Sequence, residues 1–323
     1  MASNLLRIHT ETIKTPNPAT PFSHTKTLHH HHSQLSFPST LLNNSRALCS
    51  LSSPTPPNSK EAAIQQAKTC LTKTLEKPLN NLRLTSKLKK LKQPRFRIEI
   101  PVADDSPESL SQLALQFFRD LPITRKGSPV NIAVLWPDIA STESAVKAFR
   151  SSPSSPVEHF DILSVANGNT RISNTADVAV FLAPDPSQVA VMKTVAELLY
   201  PKPVIMFNPK WGFEAEGEFG ELSSFVGSFE VIFSFMGLEV KGLLSKRNGV
   251  VFKCVKNGVV SGEKWAVLVE EEQGELKLAS TFKTRPSISE VEYVLYNLMA
   301  MNSPVTKSVK FFRDLVSNVT GKK

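Results

Sequence analysis

Little in this sequence marks chemistry by motif. Only three cysteines stand among 323 residues and none are paired as CxxC. This excludes a disulfide scaffold and leaves no local signal for zinc or a redox dithiol. Tryptophan and tyrosine number three each. No stretch approaches the ~20 consecutive apolar residues of a membrane-spanning helix. There is no GxGxxG fingerprint and no GxxxxGK[ST] phosphate loop, so nucleotide binding has no sequence support and no cofactor is expected. Histidine is confined almost entirely to the first 32 residues, where His29–His32 form a run; beyond them stands only His159. A Ser-His-Asp triad would have to be built on that one imidazole, and a zinc site would lack a second. His159 reads as a bland surface or strand-edge residue, and no metal site is expected.

Acidic residues are scarce at the start. Residues 1–60 hold one, Glu11, against eighteen Ser or Thr, seven Pro and five scattered basic residues. Such a segment cannot bury enough apolar surface to offset its ordering entropy. An acid-poor, Ser-rich start bearing Arg and Lys, without a compact apolar core, is the pattern of an organelle transit peptide; the lack of an Arg-rich amphipathic helix favours the chloroplast. Residues 1–49 are expected to be that peptide, with processing near residues 47–50, in Ala47-Leu48-Cys49-Ser50. The His29–His32 run goes with it. Cys70 and Cys254 remain as expected free thiols, which suits a reducing stroma.

Charge is distributed unevenly in the rest. Past residue 49 there are 34 basic and 28 acidic residues, a net +6, yet residues 60–97 alone hold eleven basic and two acidic. Within the linker and basic segment, 50–94, Ile64, Ala67, Leu71 and Leu75 recur at helical spacing. Pro78 is expected to interrupt, and Leu84, Leu88 and Leu91 continue a stripe flanked by Lys87, Lys89, Lys90 and Lys92. Two readings stand side by side: a helix packed on its own domain through its leucines, or contact with an anionic surface such as thylakoid lipid or an acidic partner. Nucleic acid is disfavoured, because no aromatic interleaves the basic run before Phe96.

From residue 95 apolar strands alternate with amphipathic helices. Strands are predicted at Phe96–Ile100, Val130–Leu135, Phe160–Val165, Val178–Leu182 and Val204–Phe207. Helices are predicted after Ser106-Pro107 and over Ile139–Arg150 and Ser187–Leu199. This spells an α/β domain over 95–210, a doubly wound, mainly parallel sheet with Rossmann-like layering. Residues 211–323 are expected to pack on it as one unit, as an antiparallel β-meander followed by two C-terminal helices. The meander strands are Phe229–Phe235, Val250–Val255, Trp265–Glu270 and Leu276–Phe282, with Asn257-Gly258 a hairpin signal. The helices begin at the capping box Ser287–Glu290 and at Ser303-Pro304. Glu214, Glu216, Glu218 and Glu221 read as a solvated loop, and Arg285 as the partner of a meander carboxylate.

Three strands end alike, in Trp136-Pro137-Asp138, Ala183-Pro184-Asp185 and Asn208-Pro209-Lys210-Trp211. Ligands of open α/β sheets bind beyond the carboxyl ends of the strands. Asp138, Asp185, Asn208 and Lys210 therefore form a candidate crevice for a phosphate, metal or polar small molecule. The competing reading makes Asp138 and Asp185 helix caps and Asn208-Pro209 a turn. No catalytic residue is assigned.

The segments Arg97-Ile98-Glu99-Ile100-Pro101, Asn208-Pro209-Lys210-Trp211 and Phe229-Glu230-Val231-Ile232-Phe233 resemble a plant and cyanobacterial domain of unknown function. That domain also extends some chloroplast adenylate kinases, whose kinase part is absent here. The run Arg285-Pro286-Ser287, Glu290-Val291-Glu292, Tyr296-Asn297-Leu298-Met299-Ala300 and Ser303-Pro304-Val305-Thr306-Lys307-Ser308 is more specifically similar to the third of the Low PSII Accumulation proteins. The resemblance spans about 60–323. It implies a non-enzymatic, chaperone-like photosystem II assembly factor of the stroma, partly associated with the thylakoid membrane. Its implied partners are the chlorophyll-binding subunit PsbC, a second Low PSII Accumulation protein and the thylakoid insertase. The alternative is a stromal enzyme or small-molecule-binding protein using the strand-end crevice.

Overall fold

The alternation of apolar strands and amphipathic helices is realised in a computed structural model that describes residues 7–10, 55–80, 92–102, 104–150, 156–168, 171–241, 246–271 and 274–301. The expected processing region, the leucine stripe 84–91 and the helix begun by Ser303 lie outside these residues. In chain order the principal elements are β1 (Arg7–Thr10), α1 (Lys60–Asn80), β2 (Arg95–Glu99), α2 (Pro107–Phe118), β3 (Thr124–Arg125), β4 (Ser128–Pro129), β5 (Ile132–Trp136) and α3 (Ile139–Phe149). There follow β6 (Val157–Asp161), α4 (Ile162–Ala166), α5 (Arg171–Thr175), β7 (Val178–Leu182), α6 (Val189–Leu198), β8 (Val204–Phe207) and α7 (Ser223–Val226). The last are β9 (Glu230–Lys241), β10 (Lys246–Cys254), β11 (Trp265–Glu270), β12 (Leu276–Phe282) and α8 (Ile288–Met301).

Two compact units result: a larger one of 11–236 with 253–263, and a smaller one of 1–10, 237–252 and 264–323. The larger is a parallel sheet in the order β9–β2–β8–β7–β5–β6. β5, β7 and β8 are buried at every position, as continuous Val/Ile/Leu/Phe strands covered on both faces must be. On one face lie α2 and α3, joined by a hydrogen bond from the Ser111 hydroxyl to that of Ser144 at 3.2 Å, with Phe117 edge-on to Phe207 at 4.9 Å between ring centroids. Beneath the other face Ile162 and Val165 of α4, Met192 and Val195 of α6 and Phe225 of α7 pack with Leu135, Phe181 and Met206.

Three sequence expectations change. The segment Phe160–Val165 is not a strand throughout: β6 ends at Asp161, whose carboxylate accepts from the Ser164 amide at 2.9 Å and caps α4. A short run apolar on all sides has no period that separates strand from helix. The segment Phe229–Phe235 is not only the opening of the meander: β9 has β10 on one edge, the Val255 amide donating to the Ile232 carbonyl, and on its other edge pairs in parallel with β2, Phe96 facing Glu230 and Glu99 facing Ser234. Pro78 lies inside α1, which is helical through Asn80, so the proline itself does not mark the interruption.

In the smaller unit β10, β11 and β12 run antiparallel, with a bulge at Val267/Leu268. Backbone pairing of β1 with Leu238–Lys241 of β9 places a strand inside the segment read as a leader. The Ser287–Glu290 box caps α8 as predicted, the Glu290 carboxylate accepting from the Ser287 amide at 2.8 Å and the Glu290 amide donating to the Ser287 hydroxyl at 3.2 Å. Arg285 lies over the Trp265 ring, 5.2 Å from its centroid, a cation–π contact that the sequence did not suggest.

Candidate functional site

Parallel pairing puts the carboxyl ends of β2, β8, β7 and β5 along one edge of the larger unit, and with them all four crevice candidates. Neighbouring strands send their outgoing connections to opposite faces at β2/β8, β7/β5 and β5/β6, the geometry at which open α/β sheets hold ligands. At the first two, side-chain amides occupy the gap. Asn208 accepts from the Ile100 amide through Oδ1 at 2.7 Å and donates from Nδ2 to the Ile100 carbonyl at 2.8 Å, closing β8 against the end of β2. Gln188 donates to the Pro137 carbonyl at 2.6 Å and accepts from the Asp185 amide at 3.0 Å, joining the end of β7 to that of β5.

The carboxylates cap. Asp138 accepts from the Ser141 amide at 2.7 Å and hydroxyl at 3.0 Å, opening α3. Asp185 accepts from the Ser187 amide at 2.9 Å and hydroxyl at 2.7 Å. Lys210 faces the Asp105 carboxylate at 3.9 Å. Its amide donates to the Pro184 carbonyl at 3.0 Å. Left-handed backbone at Ala183 (φ 45°) and Asn208 (φ 47°) turns the chain sharply out of β7 and β8. The candidates thus share one edge, and each already has a partner within the fold.

A charged cluster that sequence reasoning missed lies under the sheet. Arg97 of β2, 2% exposed, pairs through Nε with Glu99 at 2.7 Å and through Nη1 with Glu216. The Ser234 hydroxyl of β9 donates to Glu99 at 2.5 Å. Burial pulls the guanidinium down, but the Glu99 and Glu216 carboxylates outweigh it and hold Arg97 above its ordinary range. Glu216 therefore does not belong to a solvated loop: its side chain is 12% exposed. The signal available was the Arg-Ile-Glu alternation of β2, which sets both charges on one sheet face; the partner 119 residues away had none.

His159 stands on β6, the edge strand of the sheet, half-buried rather than on the surface. Its Nδ1 accepts from the Trp136 indole at 3.1 Å, and Phe149 packs edge-on with centroids 4.4 Å apart. Burial lowers its pKa to about 4. Of the four lysines proposed for surface contact, Lys92 is exposed; Lys87, Lys89 and Lys90 lie outside the described residues. Among the described residues no group of three or more His, Cys, Asp or Glu is placed to hold a metal ion. Among them, too, no helix is long and apolar enough to cross a membrane.

Fold and site together define an α/β protein whose strand ends are tied by amides and caps. The chain belongs to the family of the domain of unknown function DUF1995, which matches residues 57–293. No curated protein matches. Among solved structures, the flagellar accessory protein FlaH from Methanocaldococcus jannaschii aligns at 12% identity with a TM-score of 0.28, over 58% of this chain and 90% of that one, and carries no argument at that level.

Proposed function

We propose that this protein is a non-enzymatic, chaperone-like factor of the chloroplast stroma that assists photosystem II biogenesis, helping PsbC enter the complex. The observation that carries the reading is the strand-end edge, where Asn208 and Gln188 occupy two of the gaps in which such folds hold ligands. Filling of these two gaps from within the fold supports a role for the surface. Membership of the DUF1995 family and the C-terminal motifs similar to Low PSII Accumulation proteins support the client. The basic segment ending at Lys92 supports peripheral contact with an anionic thylakoid surface. A second Low PSII Accumulation protein and the thylakoid insertase are the proposed co-workers.

Deletion of the gene followed by pulse labelling of thylakoid complexes tests it. The expected result is a selective loss of newly made PsbC from assembled photosystem II. Normal assembly with an altered metabolite profile overturns the reading in favour of a small-molecule role.

A further inference from the structure

The only two cysteines among the described residues lie 184 residues apart in sequence, yet their sulfurs are in contact. Cys70 is on α1 and Cys254 at the end of β10, both within the larger unit. Their Sγ atoms are 3.4 Å apart in a thiol–thiol hydrogen bond, and both residues are buried, 1% and 2% exposed. Both ends are held. The Thr74 hydroxyl donates to the Cys70 carbonyl at 2.7 Å, and the Val255 amide to the Ile232 carbonyl at 2.9 Å. Four residues past Cys254, Gly258 (φ 69°) runs so close to α1 that a Cβ there would stand 2.3 Å from the Lys73 carbonyl oxygen. Residues 253–263 are thus latched to α1 twice, and one latch is a pair of oxidisable sulfurs.

We propose that Cys70 and Cys254 form a reversible disulfide in response to hydrogen peroxide, cross-linking α1 to the connection between β10 and β11. Burial selects the oxidant: a protein disulfide cannot reach sulfurs this enclosed, whereas peroxide is barely larger than water. Cys254 is the attacking sulfur. The bond to Cys70 and the charge of Lys256 hold it below the ordinary thiol range against burial, while that same bond and burial push Cys70 up. The Cys254 thiolate attacks one peroxide oxygen; the O–O bond breaks, hydroxide leaves and takes up a proton, and Cys254 becomes a sulfenic acid. Cys70 then attacks that sulfur, its proton leaving with the displaced hydroxyl as water. Two thiols and one peroxide yield one disulfide and two waters. Reversal needs residues 253–263 to open locally from α1, after which a small dithiol breaks the bond by thiol–disulfide exchange. Bonding requires the sulfurs to close from 3.4 Å to about 2.05 Å. The inference is independent of the proposed assembly role.

The test uses the full chain carrying Cys49→Ser, so that the leader thiol takes no part. Folded protein is treated with hydrogen peroxide, alkylated, digested without reductant and read by mass spectrometry. The expected product is a peptide pair joining Cys70 to Cys254, lighter by two hydrogens, with both titratable thiols lost and both restored by dithiothreitol. In Cys70→Ala, Cys254 is found as the sulfenic acid by dimedone added with denaturant once the peroxide is removed; in Cys254→Ala, Cys70 is still alkylated when the protein is then unfolded. Two free thiols after peroxide, sulfinic acid without linkage, or linkage only in denaturant overturns the proposal. The linked peptide is sought in protein with both cysteines intact, so a folding defect in either alanine variant does not rescue a negative result.

Discussion

Acidification should weaken this protein through one imidazole. The indole N–H of Trp136 already occupies Nδ1 of His159, 3.1 Å away, which fixes the neutral ring with its proton on Nε2. Nε2 is buried without a hydrogen-bond partner, and Phe149 packs against the ring. An added proton would have to enter at Nδ1, against another donor, in a site that solvates charge poorly. The folded-state pKa accordingly falls to about 4 from an ordinary 6.5. Between those values the unfolded chain binds the proton and the folded one does not, so stability is full above about pH 6.5 and declines as pH falls toward 4. By linkage the loss is about 2.5 kcal/mol at pH 4.5, a large share of a typical 5–15 kcal/mol. Replacement by glutamine keeps an acceptor for Trp136 and cannot titrate. Urea unfolding at pH 7 and pH 4.5 should show wild type losing about 2.5 kcal/mol more than His159→Gln. Carboxylate titration is common to both proteins and cancels. Parallel declines, or an NMR titration placing His159 near 6.5, would refute the reasoning.

Arg97→Met strands the Glu99 and Glu216 carboxylates beneath the sheet and should cost about 3–5 kcal/mol, read by urea denaturation; a loss under 1 kcal/mol would mean the cluster is not buried as described. Gly258→Ala combines left-handed backbone, about 1–2 kcal/mol, with overlap on the Lys73 carbonyl, about 1–3 more; a thermal melt unchanged from wild type would refute that close approach. Asp138→Ala should remove the cap of α3 for about 0.5–2 kcal/mol, with circular dichroism unchanged in shape. Lys87, Lys89, Lys90 and Lys92 changed together to glutamine should lower thylakoid association in lysed chloroplasts, each lysine contributing about 1 kcal/mol at low salt. High salt should release the wild type too, and equal membrane fractions for both proteins would leave the segment as a helix packed on its own domain.

The layering was legible because β5, β7 and β8 are unbroken apolar runs between amphipathic helices, and such runs have few other homes. The capping roles of Asp138 and Asp185 were legible for a similar reason: a cap is a local bond, made three residues away or fewer. What escaped was long-range. Nothing near Phe229 reveals that the strand opening the meander also pairs in parallel with β2 on its other edge, because that partner lies far back in the chain. Glu216 looks like its neighbours Glu214 and Glu218 until β2 presents Arg97 to it. Gln188, which bridges β7 to β5, has no sequence signature; its second bond goes to a carbonyl 51 residues away.

The placement of β2 governs the order in which the larger unit is able to assemble. Its hydrogen-bonding neighbours are β8, more than a hundred residues downstream, and β9, further still. As the chain leaves the ribosome, α1 and β2 appear early and wait for the segment beyond Val204. During synthesis at about 5–20 residues per second this leaves Phe96, Ile98 and the leucines of α1 uncovered for seconds. Two flanking partnerships must close loops of that length, which slows folding relative to a helical bundle of the same size. A chain truncated before Val204 keeps the interior strand and loses both neighbours, so such fragments should be found bound to chaperones or degraded rather than folded.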